Sequence, residues 1–322
     1  MRLAVIGYGG VGRAFVKLIE DKKDALAAAG LIFELKYIID KENRADFDAM
    51  LCKRDVDMAV IATPTNRHSG EPGYSYIKNA LQNGLHVVTA DKGPILLAYD
   101  ELREIAAKHN VQLGIGCTTG GALPAINGGL IDLAGAKILS IEGVLNGASN
   151  FILDEMRKKN RSYQEALADA QKLGITETDP TLDVEGWDTA IKLLILVNVL
   201  LGQRKTLADI KVCGITAISA ADIARAARQG QKYRLLGQAA YLNGELMMEV
   251  APRALGPEHP FYMADGKNKA VRYISDTMGD LIIMGGASGL IPAAASLLRD
   301  IVNIYHIHSS LTNTVSLSRQ RY

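Results

Sequence analysis

The chain has 322 residues, enough to bury a sizeable core and to form more than one domain. With 48% hydrophobic residues, 22% charged residues and a net charge of +1, its composition is typical of a globular protein and excludes a basic stripe for nucleic acid or an anionic membrane. The longest apolar run, 193–201, is far below the roughly 20 residues of a membrane span, and three separated cysteines favour reduced thiols and a cytoplasmic location.

Strand-like and helix-like segments alternate through the first part of the chain. A helix is predicted over 14–30, and buried strands are predicted over 2–7, 33–40, 56–63, 84–91 and 111–116. Nearly continuous hydrophobicity is typical of parallel strands that are covered on both faces. The repeated βα units therefore predict an α/β fold with a Rossmann-type, doubly wound parallel sheet. We assign residues 1–130 to this domain and expect 287–322 to complete it.

The pattern changes after Gly116. Helices are predicted around 148–158, 162–173, 184–201 and 289–304, and strands over 136–146, 269–277 and 280–286. The pair Asn243-Gly244 lies between two strand-like segments and predicts a tight hairpin. This mixture predicts a second, α+β domain over 131–286.

The segment GYGGVG directly follows the first strand and opens a helix. Gly7 permits a tight turn, Gly9 lets a pyrophosphate approach the backbone, and Gly12 lets the helix pack closely on the strand. The amides at the helix N-terminus then favour an anion. We therefore predict a dinucleotide site formed by Gly7, Tyr8, Gly9, Gly10, Val11 and Gly12.

Other residues follow the neighbouring strands, where ligands of such sheets bind. Asp40 ends the second strand and can hold the adenine ribose hydroxyl groups, although a solvated strand end is the alternative. Thr63 and Lys92 lie in the segments ATPTNRHSG and TADKG, and we expect both to line the cofactor site. The basic residues Lys41 and Arg44, together with Lys53 and Arg54, could instead form a clamp for a 2′-phosphate.

The segment GCTTGGALPAI, residues 116–126, contains too many glycines for an ordinary core turn. Its backbone could present amides to a ligand or carbonyl groups to a cation. Cys117 could be a thiolate nucleophile that captures an aldehyde, but no histidine in the sequence context points to it as a base. A small buried thiol is the other interpretation.

The segment DPTLDVEGWDTAIKLLIL places a lysine inside an apolar run that follows several carboxylates. On a helix, Asp188 and Lys192 are four residues apart and share one face. A positioned lysine can donate a proton to a carbonyl oxygen during reduction, and its neutral form can accept one in the reverse direction. A surface ion pair worth a few tenths of a kcal/mol is the alternative, and the residues alone leave both open.

Taken together, these motifs and the segment IEGVLNGASNFIL resemble homoserine dehydrogenase along essentially the whole chain. The resemblance implies the reversible reduction of L-aspartate 4-semialdehyde to L-homoserine with NADP or NAD, in the biosynthesis of threonine, methionine and isoleucine. The chain resembles the short monofunctional form of the family, so no C-terminal amino-acid-sensing domain is expected. It also implies a homodimer formed through the sheet of the second domain.

The resemblance implies that the second domain binds the substrate, and it also implies roles for individual residues. Lys192 corresponds to the acid/base residue, Glu177 and Asp188 to the residues that bind the amino acid, and Asp183 to a supporting acid. Lys92 is expected to line the active site. The cofactor is expected to approach Gly174, Gly285 and Gly289. A sodium ion is expected on the backbone carbonyl groups of Gly116, Thr119, Gly121 and Leu123.

Three positions depart from the family's usual sequence. Asp91 stands where asparagine is usual, Ala148 where threonine is usual, and Cys117 where alanine or threonine is usual. Because aspartate can be negatively charged and asparagine cannot, Asp91 makes the local charge around Lys92 an open question. Two other functions also remain as alternatives: a phosphorylating semialdehyde dehydrogenase that uses Cys117, and a non-catalytic dinucleotide-binding sensor.

Overall fold

The computed structural model describes the backbone of residues 1–176 and 178–319 and the side chains of residues 1–176 and 178–306. Its contacts divide the chain into two units, one formed by Met1–Thr118 with the segment that begins at Gly289, the other by Thr119–Ser288. The strands in the described residues are β1 (Arg2–Ile6), β2 (Glu34–Ile39), β3 (Met58–Ile61), β4 (His86–Thr89), β5 (Leu113–Gly114), β6 (Ile138–Val144), β7 (Lys211–Val212), β8 (Lys232–Leu242), β9 (Glu245–Leu255), β10 (Lys269–Ser275) and β11 (Asp280–Gly285).

The helices connect and cover these strands. In chain order they are α1 (Gly10–Asp21), α2 (Lys23–Ala28), α3 (Ala45–Lys53), α4 (Gly73–Gln82), α5 (Lys92–Lys108), α6 (Cys117–Gly120), α7 (Ala125–Asn127), α8 (Gly147–Lys159), α9 (Tyr163–Lys172), α10 (Thr181–Val184), α11 (Trp187–Leu200), α12 (Ala220–Arg228) and α13 (Leu290–Arg319). Among these described helices, none has the length and apolar character that a membrane crossing requires.

The first unit contains a parallel sheet with the strand order β2-β1-β3-β4-β5. This confirms the predicted doubly wound fold. Its core is formed by fully buried side chains of the sheet, such as Val5 and Val60, and by Phe15, Leu297 and Ile301 from α1 and α13. Because β2 and β3 lie on opposite sides of β1, the strand order reverses there. A ligand crevice is therefore expected at the carboxyl ends of β1 and β3.

The second unit contains a mixed sheet with the order β11-β10-β6-β8-β9-β7, which is antiparallel except for the pair β7 and β9. The helices α8, α11 and α12 pack against β8. Asn243 and Gly244 both have positive φ, and Leu242 pairs with Glu245. The predicted two-residue hairpin is thus confirmed, since positive φ at both central residues defines the type I′ turn.

Two predicted helices differ from the structure. The segment 14–30 forms α1 and α2, which meet at Lys22 and begin earlier, at Gly10. The segment 184–201 is interrupted by Gly186, whose φ of +90° is incompatible with a right-handed helix. A Cβ atom at Gly186 would lie 3.2–3.3 Å from the side chains of Val250 and Val212, so the chain turns here where space is tight. The break sets the start of α11.

Candidate active site

The turn between β1 and α1 needs its glycines. Gly7 has a φ of +94°, and a Cβ atom there would lie 2.6 Å from the carbonyl oxygen of Ala62. A Cβ atom at Gly12 would lie 2.1 Å from the carbonyl oxygen of Gly7, so α1 packs directly on the turn. Gly9 is exposed, and no atom lies within 4 Å of its Cβ position. Since no side chain caps α1, its first amides can bind a phosphate group.

The remaining residues of this segment support the turn. Gly10 lies against Leu290, with 2.9 Å between its Cβ position and a leucine methyl carbon. Tyr8 and Val11 pack partly buried against the core of the first unit. The guanidinium of Arg13 lies over the ring of Tyr8, 5.5 Å from its centre, and the Arg13 Nε donates to the Tyr8 carbonyl. These contacts fix the segment around the open helix end.

A cleft of about 260 Å³ lies at the carboxyl ends of β1, β2 and β3. Its lining includes one acidic residue, Asp40, and two basic residues, Lys41 and Arg44. Gly7, Thr63 and Tyr76 also line it. An Asp40 carboxylate oxygen accepts a hydrogen bond from the backbone N–H of Lys41 at 2.8 Å, and Arg44 Nε donates to the hydroxyl of Tyr76 at 3.0 Å. Lys53, the third candidate for a phosphate clamp, instead lies over the ring of Tyr37.

Lys92 is the first residue of α5, and the preceding residue holds that helix end. Asp91 is fully buried and accepts hydrogen bonds from the backbone N–H of Gly93 at 2.9 Å and from the hydroxyl of Thr63 at 2.8 Å. Burial raises the pKa of Asp91 above its ordinary value, although its hydrogen bonds from Gly93 and Thr63 oppose the rise. Asp91 therefore connects the end of β3 to the helix start that carries Lys92.

The second unit brings the predicted acid and base together. The Lys192 ammonium lies 2.6 Å from a carboxylate oxygen of Asp188 and donates to the carbonyl oxygen of Leu145 at 2.8 Å. Only 14% of the lysine side chain and 12% of the aspartate side chain are exposed. The pair is therefore shielded from water far more than an ordinary surface ion pair, which contributes little to the free energy of unfolding. It lies in the first turns of α11, directly after the break at Gly186.

A residue that sequence reasoning missed organises these carboxylates. The amide nitrogen of Asn146 donates to Asp183 at 2.6 Å and to Asp188 at 2.9 Å, and its oxygen accepts from the backbone N–H of Ser149 at 2.8 Å. Asn146 is thus the N-cap of α8 and at the same time the bridge between two acids. Thr176 donates to the other Asp183 oxygen. Asparagine before a helix was the signal available in the sequence.

The other predicted positions have simpler surroundings. Glu177 lies outside the described residues. Gly174, with a φ of +63°, follows the end of α9, where its N–H donates to Gln171. Gly285 and Gly289 have φ of +121° and +124°, which side chains rarely adopt. The Cys117 thiol is buried in the core of the first unit and donates to the carbonyl of Ala293.

In the second unit, the ammonium group of a lysine from another segment lies against the residues that were predicted to bind sodium. Lys269 Nζ donates to the carbonyl oxygen of Gly120 and lies 3.5 Å from the Cβ position of Gly121. The carbonyl of Leu123 accepts a hydrogen bond from Ala125. Gly116 belongs to the first unit, where its N–H donates to Asp300. A positive charge therefore already lies at the Gly120 carbonyl, between the predicted ligands Thr119 and Gly121, and this disfavours a second cation beside it.

Comparison with known proteins shows the family of this chain. Residues 124–302, more than half of the chain, match the family model for homoserine dehydrogenase. The chain belongs to the homoserine dehydrogenase family. Residues 1–117 match the model of an oxidoreductase family with an NAD-binding Rossmann fold. This member of the family is accordingly an NAD(P)-dependent oxidoreductase, and the alternative with Cys117 as a nucleophile is not favoured.

Three homoserine dehydrogenases illustrate how this chain is similar to its relatives over nearly their whole length. The one from Methanocaldococcus jannaschii is 34% identical over 337 residues, which cover 95% of this chain and 99% of the relative. The NAD(+)-dependent homoserine dehydrogenase of Pseudomonas canavaninivorans is 34% identical over 346 residues, covering 97% of each. A crystal structure of a putative homoserine dehydrogenase from Archaeoglobus fulgidus has a TM-score of 0.82 and 28% identity, and covers 95% of this chain and 99% of that one.

Proposed function

We propose that this protein catalyses the reversible reduction of L-aspartate 4-semialdehyde to L-homoserine with a nicotinamide dinucleotide. The observation that carries this proposal is the shielded pair of Lys192 and Asp188, connected through Asn146 to Asp183. A dinucleotide-binding domain alone would serve many reactions. The pair and its acids are what suit the reduction of an aldehyde that also carries an amino group.

Lys192 is the acid and base of the proposed reaction. When bound, a nicotinamide dinucleotide would supply the hydride for the aldehyde carbon, or accept it from the alcohol in the reverse direction. During reduction the Lys192 ammonium donates a proton to the carbonyl oxygen, so that the aldehyde gains one hydride and one proton and becomes the alcohol. In the reverse direction neutral Lys192 accepts the hydroxyl proton. The Leu145 carbonyl and Asp188 hold the ammonium, which fixes where the proton is delivered.

The acids have different tasks in this proposal. Asp188 accepts from both Asn146 and Lys192, so it orients the lysine. It also adds negative charge that favours the substrate's ammonium group, a role that Glu177 shares. The two carboxylate oxygens of Asp183 accept hydrogen bonds from Thr176 and Asn146. We therefore propose that Asp183 holds Asn146 in place and does not contact the substrate. The sharing of one asparagine amide explains how two acids remain close together.

The cofactor is proposed to lie along the cleft of the first unit, with its pyrophosphate at the N-terminus of α1. Gly7, Gly9 and Gly12 shape that turn. Lys92 and Thr63 are proposed to contact the cofactor, as are Gly174, Gly285 and Gly289. Asp40 favours the ribose diol of NAD, whereas Lys41 and Arg44 favour the 2′-phosphate of NADP. We expect both cofactors to work, with NAD disfavoured by no more than about tenfold.

A homodimer formed through the second sheet is part of the proposal. Strand pairing places Met247, Ile282 and Met284 on one face of this sheet, and their exposed fractions are 44%, 42% and 38%. Several large apolar side chains exposed on one sheet face are typical of a surface that pairs with another chain. Size-exclusion chromatography should show a dimer, and Ile282→Asp should shift it toward the monomer. An unchanged elution volume would contradict this assignment.

One assay separates the proposed function from its alternatives. Purified protein is mixed with L-homoserine, or in a second reaction with L-aspartate 4-semialdehyde, and with NAD or NADP at alkaline pH; the absorbance of the reduced nicotinamide is followed with and without phosphate. We expect turnover that is independent of phosphate. Activity only with aspartate 4-semialdehyde and phosphate would identify the phosphorylating alternative. Cofactor binding without turnover of either substrate would identify a sensor. Either result would overturn the proposal.

A further inference from the structure

One buried lysine has no part in the proposed reaction. Lys269 begins β10, is 4% exposed, and donates through its ammonium to the carbonyl oxygen of Gly120 and, at 3.5 Å, to that of Ala287. It therefore joins two glycine-rich segments that are far apart in sequence, 119–123 and 285–288. These segments also touch directly, since a Cβ atom at Gly286 would lie 2.5 Å from the backbone nitrogen of Leu123.

A second contact from the same strand holds the same segment. The hydroxyl of Tyr273 is fully buried and donates to the carbonyl oxygen of Ala125 at 2.6 Å. Lys269 and Tyr273 are four residues apart on β10, so their side chains leave the same face of the strand. Residues 120–125 are thus held from one strand face by two donors to backbone carbonyls, of which one is charged.

We infer that the Lys269 ammonium is a built-in cation, which takes the place of a bound metal ion in organising residues 119–123. An ammonium group is a compact unit charge with three donors, so it satisfies carbonyl oxygens as a monovalent cation does. A sodium ion among the neighbouring carbonyls would meet a like charge at short range and in a setting with little solvent. Lys269 is accordingly a positioning residue, and the folded protein should not need sodium or potassium.

The wild-type protein provides the first test. Its thermal unfolding is measured in sodium chloride, in potassium chloride and in choline chloride at equal ionic strength, because choline is too large to bind among carbonyl oxygens. We expect the same Tm in all three salts. A saturable rise of Tm with sodium or potassium over choline would overturn the inference. The readout does not depend on which substrate the protein uses, so it is separate from the test of the proposed function.

Two variants provide the second test. Lys269→Ala removes the charge and leaves room for an ion, so its Tm in choline chloride should fall. Sodium, potassium or ammonium should then raise it selectively, by roughly 3 °C or more well above the dissociation constant. Lys267→Met removes an exposed lysine two residues earlier and should leave Tm and its salt dependence unchanged. A Lys269→Ala protein that no small cation stabilises over choline would show that the lysine acts by packing alone. If this variant does not fold, the wild-type comparison still decides the question.

Discussion

Replacing Asn146 by serine should separate its two contributions. The amide nitrogen bonds the carboxylates of Asp183 and Asp188, whereas the oxygen caps α8 through the N–H of Ser149. A serine hydroxyl at this position can still accept from Ser149, because serine is as good an N-cap as asparagine. It is one atom shorter and offers a single hydrogen, so it cannot bridge both acids. Asn146→Ser therefore keeps the cap and loses the bridge.

The expected magnitude follows from these contacts. A hydrogen bond to a charged group contributes about 1.5–3 kcal/mol, and because both acids keep a second partner we take the lower part of that range for each bond. For the two bonds together, the free energy of unfolding should then fall by about 3–4 kcal/mol in Asn146→Ser, which lowers Tm by roughly 5–10 °C in a protein of this size. Asn146→Ala also removes the cap and should lose about 1 kcal/mol more.

Thermal unfolding and steady-state kinetics check this prediction together. Because Asp188 would no longer be held beside Lys192, kcat/KM for homoserine should fall at least about tenfold. Asn79→Ser, at an exposed position of α4 in the first unit, is the matched control and should change neither quantity. The reasoning is refuted if Asn146→Ser retains the wild-type Tm and the wild-type kcat/KM.

Three further predictions concern single residues. Lys192→Ala should lower kcat and kcat/KM together by about 10²–10⁴-fold while cofactor binding, followed by fluorescence, is retained; nearly full activity would make the ion pair purely structural. Asp40→Ala should lower kcat/KM with NAD and spare or raise it with NADP, and no response with either cofactor would make Asp40 a solvated strand end. Asp91→Asn should raise Tm at neutral pH and lose this gain in acid. Burial raises the folded-state pKa of Asp91, so its contribution to stability is present below the unfolded value and lost as pH rises through the folded one; a Tm gain that is independent of pH would contradict this.

The sequence predicted the parts of the molecule that depend on local pattern. Continuous apolar runs identified the parallel strands, and residues that follow such strands necessarily meet at one edge of the sheet, as Gly7, Asp40 and Thr63 do. The spacing of Asp188 and Lys192 predicted a shared helix face, because residues four apart on a helix are neighbours. The break at Gly186 was missed because helical periodicity continues across it. The side chains that limit the space around Gly186 are Val212 and Val250, which belong to β7 and β9 and are distant in sequence.

Lys192, which is partly exposed, and Lys269, which is buried, show where such reasoning ends. Lys192 has a partner four residues earlier, so its position beside an acid can be read from spacing. The partner of Lys269 is 149 residues away, and no local pattern indicates that distance. From the residues, the glycine-rich segment around Gly120 could present amides to a ligand or carbonyl groups to a cation, and a motif cannot tell whether a positive charge there comes from an ion or from a side chain. The answer depends on β10, which lies opposite this segment only after the sheet of the second unit has formed. A bound ion and a lysine differ in one measurable respect, since only the bound ion is lost when sodium chloride in the solution is replaced by choline chloride.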